Sequence, residues 1–274
     1  MVGMIVFIQV SVFALGLIIG SFLNVVLYRL HTGRSLKGRS HCLSCLSILR
    51  WFELLPLVSY LGLRGRCRSC RARIPSRYFL VEFLTGALFV VCWQTIDGLI
   101  PVLLSWLAAS VLVLVFVYDM RHQIIPDELT VLLLVVAVSL IGYHYHLVGS
   151  LTAVFDSFIA AIAATAFFGF IFFVSGGRWM GFGDVKLVFP LALFLPPILV
   201  FSMVLLAFYI GAAVSLCLLG IQALSRRGQL PLPFFTQTLT IKGAVPFAPF
   251  LIAGWLLTYF GAFDLLKFFI VWPI

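Results

Sequence analysis

The stretch LIPVLLSWLAASVLVLVFVYDMR, Leu99 to Arg121, decides the fold. Leu99 to Tyr118 carries no charge, and roughly 20 such residues cross the hydrocarbon core of a bilayer as one helix. A carboxylate, Asp119, then closes the run, where it gains nothing from packing. Working outward, comparable apolar runs lie at about 2–28, 79–94, 129–147, 152–174, 185–197, 199–221 and 246–262. Together they predict an all-α, polytopic membrane protein with about eight transmembrane helices. Composition agrees: 63% of the 274 residues are hydrophobic and 10% charged, which excludes a single water-soluble core under a polar surface. The first run lacks a basic leader and a small-residue cleavage site, so it reads as a retained helix. Three regions are expected: a first transmembrane helix over 1–28, a polar loop domain over 29–78, and a transmembrane domain over 79–274.

The formal charge of +9 could point to nucleic acid, but 11 of the 18 Lys and Arg residues fall between Arg29 and Arg77. That distribution reads as topology, and no nucleic-acid partner is expected. Connections carrying Arg121, Arg178 with Lys186, and Arg226, Arg227 and Lys242 alternate with connections free of Lys and Arg, until Lys267 near the C-terminus. The basic side is therefore expected to be cytoplasmic. Nothing in the sequence specifies an oligomeric state, and no internal repeat is evident.

Within the polar segment, Cys42-Leu-Ser-Cys45 and Cys67-Arg-Ser-Cys70 are separated by 21 residues. Two such pairs on the reducing side fit a tetrahedral Zn²⁺ held by four thiolates, a structural staple for a small loop domain. Four protein ligands leave no position for an activated water, so the zinc is expected to be structural. Cys92 and Cys217 lie in apolar runs and read as packing residues.

Only nine acidic residues exist, so those near membrane spans carry weight. Asp119 and Asp184 both fall at the basic ends of spans although far apart in sequence. Each has a plainer reading, as an anchor beside Arg121 and as a helix cap. Asp127, after Pro126, reads first as an N-cap. Gly181 and Gly183, just before Asp184, suggest close backbone approach. Two neighbouring carboxylates can share one proton, the ionised one activating water and the protonated one polarising a carbonyl. Glu82 lies inside an apolar run just beyond the cysteines, and either reaches the interface or faces a polar site. An ion-coupled transporter using the same aspartates remains a competitor, as does a binding module in which the acids are only caps. No HExxH, GxSxG or P-loop pattern is present.

Further residues add a resemblance. They are Gly20-Ser21-Phe22-Leu23-Asn24-Val25-Val26 with Tyr28-Arg29, Ser40-His41-Cys42, Trp51, Pro56 to Leu61, Arg64 to Cys67, and Arg77-Tyr78 followed by Val81-Glu82. In the second part they are Asp119 with Ile125-Pro126-Asp127, Gly181-Phe182-Gly183-Asp184-Val185-Lys186, and Val245 to Phe250. In this joint order the chain resembles the type IV prepilin peptidases, bifunctional leader peptidases and N-methyltransferases of the GxGD aspartic protease group. Leu43, Glu53 and Leu54 depart from the commoner residues at their positions. The resemblance implies cleavage of prepilin or pseudopilin precursors at the cytoplasmic face of the bacterial inner membrane by Asp119 and Asp184, supported by Gly181, Gly183 and Lys186. It implies zinc on Cys42, Cys45, Cys67 and Cys70, and methylation of the new N-terminus by S-adenosylmethionine, for which Glu82 is the candidate binding residue.

Overall fold

Peptide groups cannot stay unpaired in hydrocarbon, and the long uncharged runs satisfy them as helices. The computed structural model describes residues 2–33, 35, 37–226 and 246–261. Its helices are α1 (Val2–Thr32), α2 (Val58–Gly62), α3 (Arg77–Thr95), α4 (Leu99–His122), α5 (Asp127–Val148), α6 (Leu151–Ser175), α7 (Phe182–Leu193), α8 (Pro197–Arg226) and α9 (Ala248–Gly261), with a 3₁₀ turn over Trp51–Leu54. Among the described residues there is no strand, only two isolated bridges in the polar segment, His41 with Ile48 and Arg66 with Arg73. The Lys and Arg expected at 227, 242 and 267 lie outside the described residues.

All eight apolar runs are helical. Six of the helices, α1, α3, α4, α5, α6 and α8, are long and apolar enough to cross a membrane. Helix α7 has 12 residues and at ~1.5 Å per residue falls short of a ~30 Å core; α9 has 14 within the described residues. Helix α7 also begins earlier than expected, at Phe182, so Asp184 sits in its first turn and the cap position belongs to Gly181. Pro197 then opens α8, where its missing N–H and fixed φ cost nothing.

The described residues form two compact units that divide within α4, at Tyr118 and Asp119. In the first, α1 lies directly on α3. A methyl placed on Gly16 would meet Gly86 Cα at 2.7 Å, and one on Gly20 would meet Glu82 Cα at 2.7 Å. Small residues four apart are what allow two membrane helices to approach this closely. Asn24 donates to the Tyr78 carbonyl at 3.1 Å, and Trp106 of α4 donates to the Phe89 carbonyl at 2.9 Å while its ring stacks on Phe89.

In the second unit α7 is the central element. It packs against α5, α6 and α9, and eight of its 12 residues, from Asp184 to Leu193, are buried. Trp255 of α9 donates to the Leu191 carbonyl at 3.0 Å. Gly254 lets α9 approach the backbone of α8 at Met203 and Ala207; Phe168 stacks on Phe208, and Phe247 lies tilted against both. Asp184, in the first turn of α7, is thereby buried, while Lys186 on the same helix stays partly exposed.

The α1–α3 contact is testable. Gly16→Leu is expected to cost about 1–3 kcal/mol through overpacking, read as a lower melting temperature of the detergent-solubilised protein. Gly142→Ala, at a site where nothing lies within 4 Å, is expected to leave it unchanged or slightly raised.

Candidate active site and metal centre

Asp119 and Asp184 belong to the same unit. They are 5% and 7% exposed, and the turn that follows Asp119 packs through Ile125 on Gly183, the residue before Asp184. Asp119 is buried rather than an exposed anchor, and Asp184 lies within the first turn of α7, where its contact to Gly181 N–H is that of a capping box. Asp119 lies inside α4, which runs on to His122, and its buried Oδ2 has no hydrogen-bond partner. The Asp184 carboxylate accepts the backbone N–H groups of Gly181 and of Ala248, the first residue of α9. Position in the first turn of α7 adds the favourable end of the helix dipole. Two buried carboxylates, one anchored on backbone donors and one with an unsatisfied oxygen, can orient and deprotonate a water or polarise a carbonyl.

The two glycines before Asp184 differ. A methyl on Gly183 would meet three Ile125 side-chain atoms at 3.2–3.3 Å, whereas one on Gly181 meets Asp184 Oδ2 at 3.8 Å and Gly183 N at 4.0 Å, both ordinary contacts. Ile125 is buried in the turn that joins α4 to α5, so Gly183 is the close approach that fixes α7 against that turn. Asp127 is not an N-cap. Pro126 holds the cap position, and Asp127, the first residue of α5, pairs with Lys186 of α7. That pair was not legible in the sequence, and neither were the contacts to Asp184 from Ala248 and to Gly183 from Ile125.

The four cysteines converge. The Sγ atoms of Cys42, Cys45, Cys67 and Cys70 lie within 4.8 Å of one another, with Cys42 and Cys70 3.9 Å apart. Tetrahedral Zn–S bonds of about 2.3 Å place sulfurs roughly 3.8 Å apart, so the set fits zinc after a small contraction. Each CxxC is a tight knuckle, and the two repeat each other. Cys42 N–H bonds the Ser47 carbonyl as Cys67 N–H bonds that of Ala72, and Leu46 and Arg71 take the same left-handed φ of 59° and 60°. The two Cys-x-Ser-Cys stretches, 25 residues apart, are thus repeated in backbone geometry as well as in sequence. Hydrogen bonds from the Ser47 hydroxyl and backbone lower the Cys45 thiol to about 6, and the backbone N–H groups of Cys70 and Ser69 lower that of Cys67. Against a bond from the Ala72 backbone, burial and the thiols of Cys45, Cys67 and Cys42 push Cys70 up to about 11, the unequal sharing of protons that a bound cation would remove.

Glu82 is 8% exposed and belongs to the same unit as the cysteines. It does not reach toward solvent. Its Oε2 accepts the backbone N–H of Leu57 at 2.9 Å, and the Ser21 hydroxyl donates to the same carboxylate. Leu57 has a φ of 56°, an uncommon conformation that this bond helps to hold.

An all-helical, multi-pass membrane protein with paired buried aspartates and a four-cysteine cluster is the class that fold and site define. The model of the bacterial peptidase A24 N-terminal domain matches residues 14–96, and that of the type IV leader peptidase family matches residues 106–216. A prepilin leader peptidase/N-methyltransferase of Pseudomonas aeruginosa is 32% identical over 279 residues, covering 90% of this chain and 88% of that protein. One of Aeromonas hydrophila is 31% identical over 91% of this chain and 90% of that protein. A Myxococcus xanthus protein of the same description is 42% identical over 123 residues, 44% of this chain and 37% of the other. No solved structure matches. The chain belongs to the type IV leader peptidase family. The transporter reading finds no support among these relatives.

Two predictions follow the geometry. Gly183→Val is expected to lower leader cleavage by about an order of magnitude or more, since misplacement of a reacting group by ~1 Å costs ~10²-fold; Gly181→Ala should retain most of it. Both are read from initial rates on a purified prepilin. Elemental analysis of the purified protein is expected to find about one zinc per chain, and Cys67→Ser to lose the metal and loosen the loop domain toward protease, with leader cleavage suffering less than methyl transfer.

Proposed function

We propose that this chain removes the leader from type IV prepilins or type II pseudopilins with Asp119 and Asp184, then methylates the new N-terminal amine with S-adenosylmethionine. As a member of the type IV leader peptidase family it is a prepilin peptidase and N-methyltransferase, and a multi-pass inner membrane protein. The observation that carries the assignment of the peptidase site is the juxtaposition of two buried carboxylates within one unit, with one oxygen of Asp119 unsatisfied.

In the reading we favour, the ionised carboxyl of the pair takes a proton from water while the protonated one donates to the scissile carbonyl oxygen. Water oxygen bonds to the carbonyl carbon, and the tetrahedral intermediate collapses as the departing amine takes a proton from the pair. Gly181 and Ala248 hold Asp184 through their N–H groups, and Lys186 with Asp127 ties α7 to α5. The alternation of basic connections supports a cytoplasmic position for both the aspartates and the loop domain. That side is where a basic leader preceding an apolar helix would present its scissile bond.

Methyl transfer is assigned to the first unit, to the loop domain over 29–78 together with Glu82. The four cysteines would hold Zn²⁺ through all four thiolates, and zinc would supply only a fold constraint there. Within this reading the two activities separate. Asp119→Asn and Asp184→Asn are each expected to lower prepilin cleavage below about 10⁻³ of the parental rate, measured by loss of leader mass, while leaving the methylation of an already mature pilin intact. Asp127→Asn, which weakens only an exposed ion pair, is expected to stay within about tenfold of the parent. Parental cleavage by the purified Asp184→Asn protein would remove the dyad.

A further inference from the structure

The first unit contains a cavity of about 410 Å³ enclosed by the C-terminal half of α1, the start of α3 and the inner sides of both cysteine knuckles. That is the size of a small-molecule site. Its walls include Ser21, Asn24, Tyr28, Glu53, Tyr60 and Glu82. The two acids decide what it can take. Glu82 is buried on a membrane helix, yet among the described residues no basic side chain forms an ion pair with it or with Glu53. His41 and Arg73 also line the cavity, and two further cations there have partners of their own. Arg29 spends its guanidinium on the carbonyls of Ser35, Lys37 and Gly38, and Arg68 lies over the Phe52 ring at 5.2 Å.

A carboxylate held by neutral donors alone and facing a cavity must keep a proton or meet a positive charge, and a cationic ligand would supply that charge. The surrounding rings act in the same sense. Tyr60 and Phe79 lie 5.5 Å apart between centroids, and aromatic faces attract a cation or stack on a planar base. A sulfonium attached to a nucleoside combines both demands. We propose that this cavity is the S-adenosylmethionine site, with the Glu82 carboxylate as the counter-charge to the sulfonium and the tyrosine-lined wall receiving the nucleoside. The proposal rests on the methyltransferase reading above and deepens it. The donor supplies a methyl group to the neutral N-terminal amine: the N–C bond forms as the C–S bond breaks, the electron pair stays on sulfur, and the amine proton leaves to water.

Glu82 also has a structural part, because its bond to Leu57 ties the loop domain to α3. Glu82→Gln keeps the acceptor for that bond and removes only the charge, which separates the two parts. The test is equilibrium binding of S-adenosylmethionine and of S-adenosylhomocysteine, its neutral thioether product, to the full-length protein in detergent. The Glu82→Gln protein is expected to bind the sulfonium about tenfold more weakly or worse and the thioether within about threefold of the parent, with zinc content and leader cleavage retained. Filling the cavity from a helix or from the loop, by Val25→Trp or Ser59→Trp, is expected to abolish binding of both ligands and methyl transfer while cleavage continues. An unchanged preference for the sulfonium in Glu82→Gln overturns the role of the carboxylate. Parental binding by the two tryptophan variants overturns the site. If the Glu82→Gln protein loses zinc and cleavage, the tryptophan variants decide. A parent that binds neither ligand and transfers no methyl group defeats the methyltransferase reading itself.

Discussion

The structure depends on the cost of burying carboxylates on apolar helices, where among the described residues no lysine or arginine forms an ion pair with them. Asp119, Asp184 and Glu82 are all buried on apolar helices, where an ionisable group is expensive and persists only with fixed partners or a function. Two of them are steadied by backbone N–H groups: Asp184 by Gly181 and Ala248, Glu82 by Leu57. Backbone donors carry no charge, so they fix a carboxylate in position and leave its negative charge available to a reacting group or a cationic ligand. The one obvious ion pair at the site, Lys186 with Asp127, is kept off the buried pair and spent on holding helices.

Close packing makes that placement possible. Helix α7 is too short to cross a bilayer and is surrounded by α5, α6 and α9, which buries its N-terminal turn and Asp184 with it. Gly183 lets that turn rest on Ile125, and Gly254 lets α9 come in close enough that Ala248, at its start, reaches Asp184. In the first unit Gly16 and Gly20 do the same for α1 and α3, and Glu82 lies at that seam. Small residues thus set the distances at which the acids meet their backbone donors.

The order of the long apolar helices was legible in the sequence because uncharged runs admit only one backbone solution in hydrocarbon; their number as spans was not, since eight were expected and six described helices are long enough to cross. The cysteine cluster was legible from spacing, since two CxxC pairs close naturally on one tetrahedral centre. Helix ends were less so. Whether Asp184 precedes α7 or lies within it depends on Gly181 taking the cap position, and Asp127 fails as a cap because Pro126 occupies that place. Local residue preferences describe both outcomes equally well. Contacts across long sequence separations, such as Ala248 with Asp184 or Leu57 with Glu82, involve backbone groups that every residue carries. No residue type announces them, and only the packing of α9 and of the loop domain brings them into place.

The central claim is that two aspartates cut a peptide bond by activating water directly. A single turnover with enzyme in excess over a purified prepilin, run in heavy-oxygen water and followed by mass spectrometry of the released leader, tests it most directly. Direct attack by water predicts that every leader carries one heavy oxygen in its new carboxylate from the first turnover. A first-turnover leader holding only ordinary oxygen would mean that a protein carboxylate bonded to the carbonyl first, and would contradict the account.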